Sequence, residues 1–166
     1  GIRPLEFKTF SKEMQNAITN YCQAGGNFFV SGAYVASDLW DNRLVKANEE
    51  DKKFAMEVLK YKWRVGQAAR NGKVKSGTSP FPEITGSYTY YQDLNPESYV
   101  VESPDALEPA AQGAFTILRY SENNLSAGIA YKGNYKTCVL GFPFEAIRTV
   151  TERELLMKAI LTFFEH

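Results

Sequence analysis

The chain has 166 residues, of which 44% are apolar and 23% charged, values typical of one globular domain with a single core. Its nineteen basic and nineteen acidic side chains give a formal net charge of zero, which argues against nucleic acid or an anionic membrane as the partner. The only histidine is His166, which excludes an internal Ser-His-Asp or Cys-His pair and a histidine-rich metal site.

The first half of the chain alternates between helix and strand signals. Helices are predicted over residues 12–24, 33–40 and 48–59, and a strand buried on both faces over residues 27–31. Ser11 and Asn48 are suited to cap two of these helices, and Gly25-Gly26 to end the first. Helix, buried strand, Ser-Gly turn and helix in succession are typical of a parallel α/β sheet.

The second half is richer in strand signals. Alternating residues on both sides of Asn71-Gly72 predict a β-hairpin over residues 62–76. Residues 76–98 contain many Gly, Ser, Thr and Pro and are predicted to form a long surface excursion. The remaining predicted elements are strands at 99–101, 114–120, 126–131 and 136–140, and a closing helix that starts at the capping box of residues 151–154. Residues 1–166 are therefore predicted to form one α/β domain.

The two cysteines, Cys22 and Cys138, do not make a disulfide framework. Free cysteine is among the most buried residue types and packs as a small hydrophobic side chain. We therefore expect two buried thiols, with a disulfide between them as the unsupported alternative.

Ser31 and Glu145 are the residues whose positions best suit catalysis. Ser31 ends a predicted strand and precedes Gly32 and a helix, an arrangement that can raise a side chain above a sheet. No internal histidine is available to take its proton, so a tight structural turn is the favoured interpretation. Glu145 follows another predicted strand, at the edge of an α/β sheet where ligands bind, or alternatively accepts backbone amides in its loop.

Acidic residues form a second candidate group. Asp38 and Asp41 are three positions apart and would share a helix face. Together with Asp93 and Glu145 they could supply a carboxylate pair or an oxygen-ligand metal site. No calcium-loop pattern accompanies them, so helix caps and solvated surface acids are favoured. We predict no metal and no cofactor.

Tyr88, Tyr90 and Tyr91, together with Trp40, could form a sugar-stacking platform. Tyr88 and Tyr90 have the spacing of residues on one face of a strand, whereas Tyr91 would face the other way. Simple cross-strand packing of the rings is the favoured alternative.

Three segments resemble the class I glutamine amidotransferase-like superfamily. They read GGNFFVSGAY (residues 25–34), KTCVLGFPFE (136–145), and ERELLM with ILTFF (152–164). More narrowly, the chain resembles the non-catalytic accessory module at the C-terminus of bacterial xanthan-lyase-like proteins. The resemblance implies a flavodoxin-like three-layer sandwich with a mostly parallel sheet, to which the predicted hairpin would be added.

The chain departs from the catalytic members of that superfamily at the site itself. Ser31 is nearest to the position of the family's catalytic cysteine, and the family's histidine has no counterpart, although Glu145 falls in its neighbourhood. The family's opening strand and helix are also missing, which implies a fragment truncated at its N-terminus. Such a fragment would expose a sheet edge able to pair with upstream domains or with another copy of the chain.

The resemblance implies a non-catalytic accessory domain of a larger secreted or periplasmic bacterial protein. Its partners would be the upstream domains and polysaccharide, with no nucleic acid and no membrane. Two alternatives stay open: a polysaccharide lyase or hydrolase with its site at Ser31, Asp38 and Glu145, and a sugar-binding module that uses the tyrosines. A lyase must neutralise a uronic carboxylate, for which the candidates are Arg64, Arg70 and Arg119.

Overall fold

A computed structural model describes residues 8–41, 47–77, 80–81, 83–94, 96 and 98–166. The helices are α1 (Lys12–Gln23), α2 (Ser37–Trp40), α3 (Glu49–Phe54) and α4 (Val150–Glu165), with a π-helical turn at Ala55–Leu59 and a 3₁₀ turn at Phe144–Ala146. The strands are β1 (Phe28–Ser31), β2 (Tyr61–Val65), β3 (Lys73–Ser76), β4 (Ser87–Thr89), β5 (Ala106–Pro109), β6 (Ala114–Tyr120), β7 (Ser126–Lys132) and β8 (Lys136–Leu140). The predicted start of the domain at residue 1 lies outside the described residues.

The six-stranded sheet is mixed, with the strand order β1-β8-β7-β6-β3-β4. Its first pair, β1 and β8, is parallel, and every other neighbouring pair is antiparallel. The predicted mostly parallel, flavodoxin-like sandwich is therefore wrong. The physical reason lies in the connections, because β6, β7 and β8 follow one another through short turns that can join only antiparallel strands.

The predicted hairpin over residues 62–76 is also wrong. Its two strands form as β2 and β3, but β2 pairs with β5 in a separate two-stranded sheet while β3 pairs with β4 and β6. The turn glycine Gly72 instead lies against the backbone of Tyr90, whose amide donates to the Gly72 carbonyl at 2.8 Å. Asn71-Gly72 thus lies between β2 and β3 in the chain, but the two strands do not pair with each other.

The strand predicted at residues 99–101 is replaced by β5, which the sequence did not suggest. The Val101 amide donates to the Tyr91 carbonyl at 3.2 Å and its carbonyl accepts Gln92 Nε2 at 2.8 Å, but Val101 belongs to no named strand. The strand β1 was expected to be buried on both faces, but all four of its residues are only partly buried because β1 is an edge strand.

The helix caps agree with the sequence at two of three positions. Ser11 Oγ accepts the amide of Met14 at 3.3 Å, and Asn48 forms a complete capping box with Asp51. The closing helix α4 begins earlier than predicted, at the cap Thr149, whose Oγ1 accepts the amide of Glu152 at 3.1 Å. Each side-chain cap satisfies an amide that the first turn of a helix leaves without a partner.

Two hydrophobic clusters lie on the six-stranded sheet. One includes the inner face of α4, and the other includes residues of α1, of the π-helical turn and of the two-stranded sheet. Cys22 and Cys138 are free and buried in these clusters, so the prediction of two buried thiols is confirmed. In the described part of the chain, no helix has the length and apolar character to cross a bilayer.

Candidate functional site

A cleft opens at the carboxyl ends of β1 and β8. These strands are parallel, with Ser31 and Leu140 paired at their last positions. The cleft has a volume of about 320 Å³ and is lined by Thr9, Gly32, Ala33, Tyr34, Val35, Tyr99, Val100, Val101, Glu102 and Pro143. The edge of a sheet at which parallel strands end is the place where α/β proteins bind ligands. The sequence placed Ser31 and Glu145 at this edge, and both lie beside the cleft.

The hydroxyl of Ser31 has a structural role. Ser31 Oγ accepts the backbone amide of Phe144 at 3.1 Å, which is the first residue of the 3₁₀ turn after β8. No hydrogen bond joins this hydroxyl to a carboxylate or a lysine among the residues that the structure describes. A serine hydroxyl needs an adjacent base to become a nucleophile. The hydroxyl therefore ties the turn after β8 to the end of β1.

Glu145 acts at the rim of the cleft together with Tyr99. The phenol of Tyr99 donates to Glu145 Oε1 at 2.6 Å, and the tyrosine is 52% exposed. Partial burial, together with the hydrogen bond to Glu145, raises the pKa of Tyr99 well above its ordinary value. Tyr99 therefore stays a neutral donor at any physiological pH. Sequence reasoning predicted Glu145 at this edge but did not identify Tyr99.

Behind the cleft lies Asp105, a buried carboxylate that sequence reasoning also missed. Its Oδ2 accepts the amides of Ala36 and Ser37, both at 2.9 Å, and its Oδ1 accepts Trp63 Nε1 at 3.0 Å. Burial, opposed by these hydrogen bonds, raises the pKa of Asp105 from 3.8 to about 7. Asp105 thus links the segment after the Ser31–Gly32 turn to β2 and β5. The available signal was an acidic residue directly before the apolar pair Ala106 and Leu107.

Asp38 and Asp41 are buried, which corrects the expectation of solvated surface acids. Asp38 is fully buried and Asp41 is 8% exposed. Asp38 Oδ2 accepts the amide of Thr9, its Oδ1 has no hydrogen-bond partner among the described residues, and burial raises its pKa. No hydrogen bond joins Asp38 to Ser31 or Glu145 in that part of the chain.

The acidic residues are spread over separate sites. Asp93 pairs with Arg148 at 3.5 Å, whereas Glu145 accepts the Tyr99 phenol at the rim of the cleft. Residues 8–41, 47–77, 80–81, 83–94, 96 and 98–166 contain no group of three His, Cys, Asp or Glu side chains suited to hold a metal ion.

The tyrosines predicted as a sugar-stacking platform are occupied by the protein itself. Tyr88 is 3% exposed and Tyr90 is fully buried, with its ring stacked on Phe142 at 5.1 Å between centroids. The half-buried ring of Tyr91 is covered by the guanidinium of Arg148 at 5.2 Å. Trp40, which is also half-buried, packs against the cluster that contains α1. These four rings therefore do not form an open platform, and cross-strand and core packing explains them.

No model of a known protein family matches the chain, and no curated protein matches it by sequence. Among solved structures, the chain is similar to the cold-adapted β-galactosidase from Rahnella sp. R3, with a TM-score of 0.59 and 12% identity over 93% of this chain and 21% of that chain. It is also similar to the exo-β-1,4-mannosidase Op5Man5 from Opitutaceae bacterium strain TAV5, with a TM-score of 0.50 and 9% identity over 93% of this chain and 22% of that chain. The chain thus spans about a fifth of each of these proteins and shares a fold with that part. Neither similarity supports the amidotransferase-like assignment.

Proposed function

We propose that the chain is a non-catalytic domain of a larger polysaccharide-associated protein. The proposal rests on the hydrogen bonds of the two residues that are best placed for catalysis. Ser31 is engaged by the Phe144 amide, and Glu145 by the Tyr99 phenol. The single histidine stands at position 166, and no described residue is hydrogen-bonded to Ser31 as a base that could activate it.

The similarities to solved structures support the link to carbohydrate. Both named proteins are glycosidases by their descriptions, and this chain matches about a fifth of each. A segment of that length has the size of a typical protein domain. By analogy, this chain would contribute binding or packing to a protein whose chemistry resides elsewhere.

Turnover by the isolated chain is the direct test. The chain is incubated with aryl β-galactoside, aryl β-mannoside, galactan and mannan, beside its Ser31→Ala and Glu145→Gln variants. We expect no sugar release above the level of the variants. We also expect Ser31→Ala to lower the free energy of unfolding by about 1 kcal/mol, because the Phe144 amide loses its acceptor. Release that either variant abolishes would contradict a non-catalytic role.

One observation favours a second candidate function, a sugar-binding module. The ring of Tyr99 is 52% exposed at the cleft, and its phenol is fixed by Glu145. An exposed aromatic face beside a carboxylate suits the apolar face and the hydroxyls of a sugar ring. The binding surface would be the strand-end cleft, and the predicted platform around Tyr88 would have no part in it.

Tyr99→Ala tests this second candidate. We expect the variant to bind galactose or mannose oligosaccharides about tenfold more weakly, because an aromatic contact is lost. The matched control is Tyr21→Ala, since Tyr21 is 54% exposed on α1 and lies outside the cleft. Titration calorimetry measures both affinities. Equal affinities of the two variants would remove the cleft as the binding surface.

A further inference from the structure

A second cavity opens between the two-stranded sheet and β6, apart from the strand-end cleft. We call it the arginine groove. Its volume is about 600 Å³, and its lining includes Arg64, Glu108, Thr116, Arg119, Asn124 and Leu125. The groove shares no lining residue with the cleft. Strands β2 and β6 thus bring Arg64 and Arg119 to one cavity. These are two of the three arginines that were predicted as candidates to neutralise a carboxylate.

Arg119 is the cation with the most unused binding capacity in the groove. Its Nη1 donates to the backbone carbonyl of Asn124 at 3.0 Å, and it forms no ion pair with any described residue. A guanidinium has five N–H donors in a planar fork that fits a carboxylate. Lys75 is paired directly opposite Arg119 across β3 and β6, so it adds a second positive charge on the same face of the sheet.

Arg64 adds a further cation at the rim. It forms an ion pair with Glu108 at 2.5 Å, and the two side chains are 54% and 46% exposed. Such an exposed pair is worth little in free energy, so an incoming carboxylate can compete with Glu108 for the guanidinium. With Arg64 and Arg119 against Glu108, the lining of the groove is net positive although the whole chain is neutral.

The polar groups between the arginines are suited to sugar hydroxyls. Thr116 Oγ1 donates to Ser126 Oγ at 3.2 Å, and the buried Ser126 hydroxyl donates in turn to the Gly128 carbonyl at 3.4 Å, so this chain leaves the Thr116 oxygen as the acceptor on the groove side. The side chain of Asn123 is held at both ends, because its Nδ2 donates to the Ala68 carbonyl and its Oδ1 accepts the amide of Leu125. This anchoring fixes the loop that carries Asn124 and Leu125 into the groove before any ligand arrives.

We propose that the arginine groove binds a carboxylate-bearing polysaccharide, with Arg119 as the anchor for the carboxylate. This inference rests on the proposed association of the chain with polysaccharide and names the class of glycan. The guanidinium provides the charge-assisted, two-point hydrogen bonding that a uronate favours over a neutral sugar. The Thr116 hydroxyl oxygen then accepts a hydrogen bond from a hydroxyl of the same or the next ring.

Affinity electrophoresis with polygalacturonate tests the groove. The native chain is expected to be retarded by polygalacturonate at low salt, and much less by its fully methyl-esterified form or at high salt. Arg119→Gln is expected to weaken binding about tenfold, as for the loss of one charge-assisted hydrogen-bonded contact. Lys158→Gln removes the same charge from an exposed position on α4 and is expected to leave binding within a factor of about two. Arg119→Lys keeps the charge without the fork and is expected to fall between the two.

The possible outcomes separate this inference from the proposed function. Equal binding by Arg119→Gln and Lys158→Gln, equal binding of the esterified polymer, or no retardation at all would overturn the inference. Equally tight binding of a single-stranded oligonucleotide would also overturn it, because the groove would then be a general polyanion site. Loss of polygalacturonate binding with retained binding of neutral sugars in the cleft would leave the proposed function standing. Catalytic turnover that depends on Ser31 would instead overturn the proposed function and leave the groove intact.

Discussion

Gly141→Ala is expected to destabilise the chain by about 3 kcal/mol, the upper part of the range for an overpacked buried contact. A Cβ atom at Gly141 would collide with the carbonyl oxygen of Asp105 and lie 2.9 Å from its carbonyl carbon. The two backbones already touch, because the Asp105 amide donates to the Gly141 carbonyl at 2.6 Å. The end of β8 would have to move away from the start of β5. Urea unfolding followed by circular dichroism measures the change.

Gly32→Ala is the matched control for this prediction. Gly32 follows β1 just as Gly141 follows β8, at the same edge of the sheet. A Cβ atom at Gly32 would meet only Val35 Cβ, at the ordinary distance of 3.8 Å. We expect its free energy of unfolding to be unchanged or higher by up to about 1 kcal/mol, because alanine restricts the unfolded chain. Similar losses in both variants would show that the approach of Gly141 to Asp105 is not the cause.

The second large effect concerns Asp105 and pH. In the folded chain its carboxyl has a pKa of about 7, whereas its ordinary value is 3.8, so between these values the folded chain holds a proton that the unfolded chain releases. Stability falls with rising pH wherever the folded state binds more protons. The contribution of Asp105 is therefore greatest below about pH 4 and is lost as the pH rises towards 7. Asparagine at this position stays neutral throughout.

The measurement is the free energy of unfolding of the native chain and of Asp105→Asn from pH 4 to pH 8, a range that brackets the pKa of about 7. The advantage of the native chain over the variant is expected to shrink by about 4 kcal/mol across this range. The other buried aspartates, Asp38, Asp41 and Asp51, are common to both proteins. The pKa of Asp38 is raised and that of Asp51 is lowered. Parallel pH profiles of the two proteins would contradict a raised pKa for Asp105.

Asp105→Ala serves as the companion variant. It leaves the amides of Ala36 and Ser37 and the indole N–H of Trp63 without their acceptor. Each unsatisfied buried donor costs about 1–3 kcal/mol. We therefore expect this variant to be less stable than Asp105→Asn at every pH. If the two were equally stable, the hydrogen bonds to the Asp105 carboxylate would contribute nothing.

Local elements were predictable from the sequence where one segment carried its own signal. The caps at Ser11 and Asn48 and the strands later found as β6, β7 and β8 were all predicted close to their observed positions. Each depends on capping chemistry or on apolar runs bounded by turn residues, which act within a few positions of the chain.

Strand pairing was not predictable because it depends on residues far apart in the chain. The parity and turn signals around Asn71-Gly72 are the same whether β2 and β3 pair with each other or with other strands. The choice was made by β5, which pairs with β2 across more than forty positions and gave no strand signal of its own. The alternation of helix and strand signals in the first half likewise predicts β1 and its flanking helices. It carries no information on the antiparallel order of the other strands in the sheet.

The candidate site was predicted only in part for the same reason. Its edge of the sheet followed from the end of β1 and the loop that carries Glu145, and both positions were correct. The partners Tyr99 and Asp105 lie on the segment between β4 and β6, whose path over the cleft is set by tertiary packing. For Tyr88 and Tyr90 the sequence suggested an exposed platform, but both side chains are buried. A tyrosine-rich segment has the same sequence pattern whether its rings face water or the core.

The parallel pairing of β1 with β8 has a consequence for biosynthesis. Phe28 meets Thr137 and Ser31 meets Leu140, so more than one hundred residues must leave the ribosome before the edge strand can find its neighbour. Contacts of such long sequence separation form late and slowly. Until then the nascent segment around β1 has no sheet to join, and an unpaired strand of this kind is prone to aggregation during synthesis.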